Sequence, residues 1–186
     1  MLAEALPFFR ELGWKKKFSG LYACRDQIHL LKPQTYMNLS GEPALAAASF
    51  FKINLDEIIV IHDEIELPFG TLSLKFSGGL GGHNGLRSMK AVFGSADFWR
   101  LRIGIGRPDS RIPGKGGNPA NNPEAGIAGW VLSDFSAEEN EALAPVCQSG
   151  AELLLQAIAS DPADMLPEWS KKNCLANPGL PFGSCY

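Results

Sequence analysis

Four consecutive residues, Ile58-Ile59-Val60-Ile61, constrain this chain more than any other stretch. An unbroken β-branched run without alternation reads as a strand buried on both faces, and such a strand needs covering layers on either side. The run ends in His62-Asp63-Glu64. Open α/β sheets place their ligand sites at the carboxyl ends of strands, so fold and chemistry meet at this point. Neighbouring strand residues face opposite ways, so His62 and Asp63 are not expected to serve each other directly.

The segments around this run alternate between strand and helix signals. Leu21 to Leu31 reads as a strand or hairpin, and Thr71 to Phe76 alternates with Leu72, Leu74 and Phe76 on one side. Phe98 to Gly106 alternates again, placing Leu101, Ile103 and Ile105 opposite Arg100 and Arg102. Ser40-Gly41-Glu42-Pro43 predicts a helix start with Ser40 as its cap. A glycine cluster, residues 78–82, precedes a second helix that begins near Asn84. Ser136-Ala137-Glu138-Glu139 is a capping box that opens a third, which Pro145 should bend or interrupt. Leu2 to Leu12 reads as a helix with Pro7 awkwardly inside it. Strands interleaved with helices indicate an α/β fold. The expectation is one domain over residues 1–160, a mobile Gly-, Pro- and Asn-rich loop at 107–126, and an irregular tail at 161–186.

Composition removes several classes. At 186 residues and 45% hydrophobic content the chain can bury a core, which excludes intrinsic disorder. No apolar run reaches the ~18 residues of a membrane helix, and the start carries no secretory signal, so no membrane partner is expected. Cys24, Cys147, Cys174 and Cys185 lack CxxC spacing and read as free thiols in a reducing, cytoplasmic setting. Glycine-rich motifs fail on inspection: position 84 is asparagine where G-x-G-x-x-G needs glycine, and Gly114-Lys115 is followed by glycine rather than Ser or Thr. His29, His62 and His83 have no metal-ligand spacing, so neither a metal nor a cofactor is expected. Ser40 and Ser77 lack a nucleophile elbow, which leaves an activated water for any hydrolysis.

Three groups stand at element ends that a strand-end site would use: Asp63, the Tyr36-Met37-Asn38 segment before one helix, and Asn84 before another. Each asparagine offers a donor and an acceptor, which suits gripping an amide or ester carbonyl. The formal net charge of −3 hides segregation. Between Lys75 and Lys115 eight basic residues face only Asp97 and Asp109, a surplus of six, which suits phosphate contacts.

Leu31-Lys32-Pro33-Gln34-Thr35-Tyr36-Met37-Asn38-Leu39-Ser40-Gly41, then His62-Asp63-Glu64 with Leu67-Pro68, then residues 81–85, then Arg100-Leu101-Arg102-Ile103-Gly104-Ile105-Gly106 resemble the bacterial peptidyl-tRNA hydrolase family. The resemblance spans roughly residues 1–160. It implies a mixed twisted sheet flanked by helices, and a cytoplasmic monomer that cleaves the ester between a peptide and the 3′ end of tRNA without a metal. In that family a histidine takes a proton from water and an aspartate supports it. The aspartate corresponds to Asp63, the substrate-binding positions to Tyr36, Asn38 and Asn84, and two residues toward the tRNA backbone to Lys75 and Arg102. The family's opening strand and its Arg-His-Asn motif have no counterpart after Met1. The resemblance therefore implies an N-terminally truncated domain, with cleavage by the chain as written severely reduced. The alternatives are a non-catalytic RNA-binding relative, similar to chloroplast intron-splicing factors of this fold, or an inactive fragment.

Overall fold

A computed structural model describes residues 2–7, 9–107 and 123–175. The chain enters through two short 3-10 turns, Leu2–Ala5 and Phe9–Glu11, rather than the expected single helix. Pro7 lies between them, and its missing N–H and fixed φ separate the two turns. Strands β1 (Lys15–Lys17), β2 (Gly20–Arg25) and β3 (Ile28–Pro33) then form an antiparallel three-stranded sheet. The β1–β2 connection puts both Phe18 and Ser19 at positive φ, the geometry that matches the twist of a two-residue hairpin.

Helix α1 (Gly41–Phe51) follows, then β4 (Ile59–Glu64), β5 (Thr71–Phe76), α2 (Asn84–Phe93) and β6 (Trp99–Gly104). Helices α3 (Pro123–Val131), α4 (Ala137–Ala159) and α5 (Leu166–Trp169) precede a short strand β7 (Lys172–Asn173). The second sheet has the order β4-β6-β5-β7. β4 and β6 are parallel, while β5 runs antiparallel to both β6 and β7, so the sheet is mixed as expected.

Two apolar layers cover this sheet. On one side Leu72, Leu74 and Leu101 pack with Val146 and Leu153 of α4 and with Leu2 and Leu6 of the opening turn. On the other, Leu86 and Met89 of α2 pack with Phe98. Ile59 joins the first layer and Val60 the second, so β4 does serve both faces. Among the described residues it is nevertheless the sheet's edge strand, and Ile61 is 39% exposed. Residues of β4 and β3 line a common cleft of about 1110 Å³.

α4 runs unbroken through Pro145. By length and hydropathy the stretch Glu139–Ala159 could cross a bilayer, but here its apolar residues pack inward, and Gly150 admits the Leu2 side chain where a Cβ would stand 2.5 Å from it. Two further expectations change. Ser40 already has helical backbone angles, so its hydroxyl cannot cap α1 and instead donates to the Met37 carbonyl at 2.8 Å. Part of the tail is ordered: Asp161 accepts from the Ala163 N–H at 2.9 Å to start a 3-10 turn, buried Trp169 anchors α5, and Asn173 pairs with Thr71. Cys24, Cys147 and Cys174 are free thiols. Cys185 and most of the 107–126 loop lie outside the described residues.

Candidate active site

β4 delivers its two chemical residues in different directions. His62 is buried, 7% exposed, and its Nδ1–H donates to the Asp63 carbonyl oxygen at 2.6 Å. A carbonyl only accepts, so the proton is on Nδ1 and Nε2 carries a lone pair. That Nε2 is buried, and among the described residues it has no hydrogen-bond partner. Burial above all, with the Asp63 carbonyl opposing, pushes the His62 pKa down to about 4.

Asp63 turns the other way, with 30% of its side chain exposed. Its Oδ1 receives His83 Nε2 at 3.3 Å. Burial works to raise the carboxyl's pKa, but hydrogen bonds from His83 and from its own backbone outweigh it and leave the group below the ordinary aspartate value.

His83 was not singled out by sequence reasoning, and it joins the elements. It is the N-cap of α2, and its Nδ1 accepts from the Gly85 N–H at 3.1 Å and the Leu86 N–H at 3.3 Å. An Nδ1 that accepts leaves the proton on Nε2, which donates to Asp63. Both ring nitrogens are therefore engaged. The signal that could have identified it is the position between a glycine cluster and a helix, where free N–H groups need an acceptor. The His62 and His83 rings meet nearly edge to face at 4.9 Å between centroids.

Asn84 follows as the first residue of α2 and is exposed. Tyr36 and Asn38 are exposed as well, on the short turn Met37–Leu39 and its preceding residue. The two asparagine segments are brought together by close packing. A Cβ at Gly85 would stand 2.8 Å from Met37 Sδ, so the methionine packs directly on this glycine. One buried hydrogen bond, from the Gly41 N–H to Ser88 Oγ at 2.9 Å, joins α1 to α2 beneath them. Met37, Asp63 and His83 line the same cleft.

The basic residues divide unexpectedly. Arg100, counted from sequence toward phosphate contacts, is 2% exposed. Its guanidinium donates to the carbonyls of Gly79 at 2.7 Å, Gly78 at 3.0 Å and Ala96 at 3.5 Å, and lies over the Phe98 ring. It braces the glycine loop that leads to His83 rather than meeting a ligand, because its alternating strand face is covered by that loop. Arg102 donates to Ser73 Oγ at 2.6 Å and stands 3.8 Å from Glu64, and Arg107 pairs with Glu66. Lys75 is half-buried beside Gly78. Among the described residues no three His, Cys, Asp or Glu side chains stand together as metal ligands.

The sequence matches the family model for peptidyl-tRNA hydrolase over residues 2–176. A peptidyl-tRNA hydrolase of Treponema pallidum (strain Nichols) is 44% identical over 163 residues, covering 86% of this chain and 75% of that protein. Another, from Rhodospirillum centenum (strain ATCC 51521 / SW), is 44% identical over 137 residues, 72% of this chain and 54% of its own length. Thus this chain spans about half of the second relative. The crystal structure of peptidyl-tRNA hydrolase from Acinetobacter baumannii superposes with a TM-score of 0.66 at 27% identity, covering 91% of this chain and 78% of that one.

Proposed function

The chain belongs to the peptidyl-tRNA hydrolase family, and on that premise we propose that it hydrolyses the ester joining a peptide to the 3′ end of tRNA, as a monomer in the cytoplasm. The observation that carries this reading is Asp63 at the carboxyl end of β4, held by His83, with Asn84 next in sequence and the Met37–Leu39 turn packed on Gly85. In the reaction water adds to the ester carbonyl and loses a proton. The tetrahedral adduct then breaks its bond to the ribose oxygen, which leaves as a hydroxyl. Asn38 and Asn84 can each donate to and accept from the peptide end of the ester, and Tyr36 flanks them. Lys75 and Arg102 lie on the strands that would face the tRNA backbone, with Lys75 the more available of the two.

Asp63 is a weak proton acceptor, since its carboxyl sits below the ordinary range and an efficient base has a pKa near the working pH. Held as an anion by the His83 hydrogen bond, it can instead stabilise positive charge that forms beside it as the water loses its proton. A second reading, tRNA binding without turnover, is favoured by one observation. The bonded nitrogens of His83 leave no free lone pair, His62 Nε2 is buried and weakly basic, and His29 is hydrogen-bonded to Tyr22 at 2.8 Å within the hairpin sheet. Single-turnover hydrolysis of a labelled peptidyl-tRNA separates the two. Peptide release that depends on Asp63 supports the hydrolase, whereas tRNA binding with the ester intact supports the second reading.

A further inference from the structure

We propose that the hairpin sheet carries a second RNA contact, made by Lys15 and Lys17 with the rings of Phe18 and Phe50 and flanked by Lys16 on the other face of the same strand, which receives a single-stranded stretch of the RNA whose ester lies at Asp63. The proposal rests on the tRNA reading above and extends it to a surface away from the catalytic cleft.

All three lysines of β1 are exposed, and none forms an ion pair among the described residues. Phe50, on a different element, is 61% exposed. The Lys17 ammonium lies 3.8 Å from the Phe50 ring centre and 4.6 Å from that of Phe18. Lysines on an edge strand also prevent sheets from joining, and that role alone would account for β1. It does not account for an exposed phenylalanine brought beneath one of those lysines by a separate helix. Cations interleaved with open aromatic faces are the equipment that holds single-stranded nucleic acid: the charges track phosphates and the rings stack bases. Lys52, exposed at the end of α1, extends the positive surface.

The position is suitable. α1 starts beside the Met37–Leu39 turn and ends in Phe50 and Phe51. Its eleven residues span about 16 Å. An RNA strand leaving the site along α1 therefore reaches the patch within a few nucleotides.

The test measures binding of deacylated tRNA and cleavage of peptidyl-tRNA across a salt series, for the wild type, the triple variant Lys15→Glu/Lys16→Glu/Lys17→Glu, Phe50→Ala and Lys171→Glu. Lys171 is an exposed lysine near the opposite end of the described chain. The triple variant should bind about tenfold or more weakly at low salt, with a salt slope shallower by about 2. Its KM should rise while kcat is unchanged. Phe50→Ala should weaken binding without altering the slope, and Lys171→Glu should match the wild type. Because the altered lysines are exposed, a thermal midpoint equal to the wild type's is expected of the triple variant. Binding by the triple variant within twofold of the wild type overturns the patch and leaves its lysines as edge protection. An equal loss in Lys171→Glu also overturns it, in favour of net charge alone. A wild type that binds no tRNA overturns both the patch and the functional reading, whereas a wild type that binds and an unaffected triple variant fail the patch only.

Discussion

β6 and β1 are the two strands on which positive charge is most concentrated, and they use it in opposite ways. β6 lies inside its sheet between β4 and β5, and its Arg100 and Arg102 are drawn into hydrogen bonds with Gly78, Gly79 and Ser73. β1 lies at a sheet edge, and its three lysines reach solvent. The residues are of similar chemistry, but the place in the sheet decides whether a cation becomes an internal brace or a surface for a partner. Arginine suits the first role because its planar fork reaches several carbonyls at once, and lysine suits the second as a hydrated point charge.

The sharpest test of the braced side is Asp63→Asn. If the chemistry belongs there, peptidyl-tRNA cleavage should fall by about 10²–10⁴-fold while tRNA affinity stays within about twofold. An equal fall in affinity would merge the two regions into one binding surface.

Acid should distinguish the regions next. The unfolded state protonates His62 near 6.5, while the folded state resists until about pH 4. Between those values the unfolded chain binds more protons, so stability falls as the pH drops, by up to about 3 kcal/mol from this residue. Below about 4 both states are protonated and this loss stops growing. Asp63, lowered in the folded state, adds its own loss only further down, as the pH falls from its unfolded value through its folded one. Urea midpoints at pH 4.5 and 7 should therefore differ more for the wild type than for His62→Gln. Equal differences would mean that His62 is not held neutral by burial.

Arg100→Met comes third. It leaves the Gly78 and Gly79 carbonyls without their donor and should cost about 1–2 kcal/mol, together with a lower kcat as His83 loses its fixed place. Lys16→Met, on the other strand, should change the urea midpoint little. Smallest of all is Glu11→Gln, which removes the exposed partner of Arg25 and should shift stability by less than about 0.5 kcal/mol. A larger effect there would show that the hairpin sheet also depends on fixed charge.

The sequence made the strands legible where side chains alternate or run unbroken, and Asp63, Asn38 and Asn84 could be identified as site candidates from their places at element ends. His83 escaped because its partner lies twenty positions away and its capping role depends on a turn that only the folded glycine loop forms. Arg100 was misjudged because alternation says which residues share a face, not what covers that face. The double burial expected for β4 is met only in part: Ile59 and Val60 are half-buried, one against each layer, and Ile61 is exposed, since an edge is set by which strands pair and no local pattern reports that. The two residues of β7 are too few to carry any period, and their strand exists only because Thr71 and Leu72 offer them an edge.

The hydrogen bond between the Gly41 N–H and Ser88 Oγ ties the starts of two helices at a distance where a Cβ on Gly41 would stand 2.5 Å from the Ser88 carbonyl oxygen. The segments bearing Asn38 and Asn84 are thus mounted on one joint and cannot shift independently. If Asn38 and Asn84 grip the ester as proposed, much of the disorder that the substrate would otherwise have to suppress on docking has already been removed by folding, because the two sides of the grip are set before it arrives.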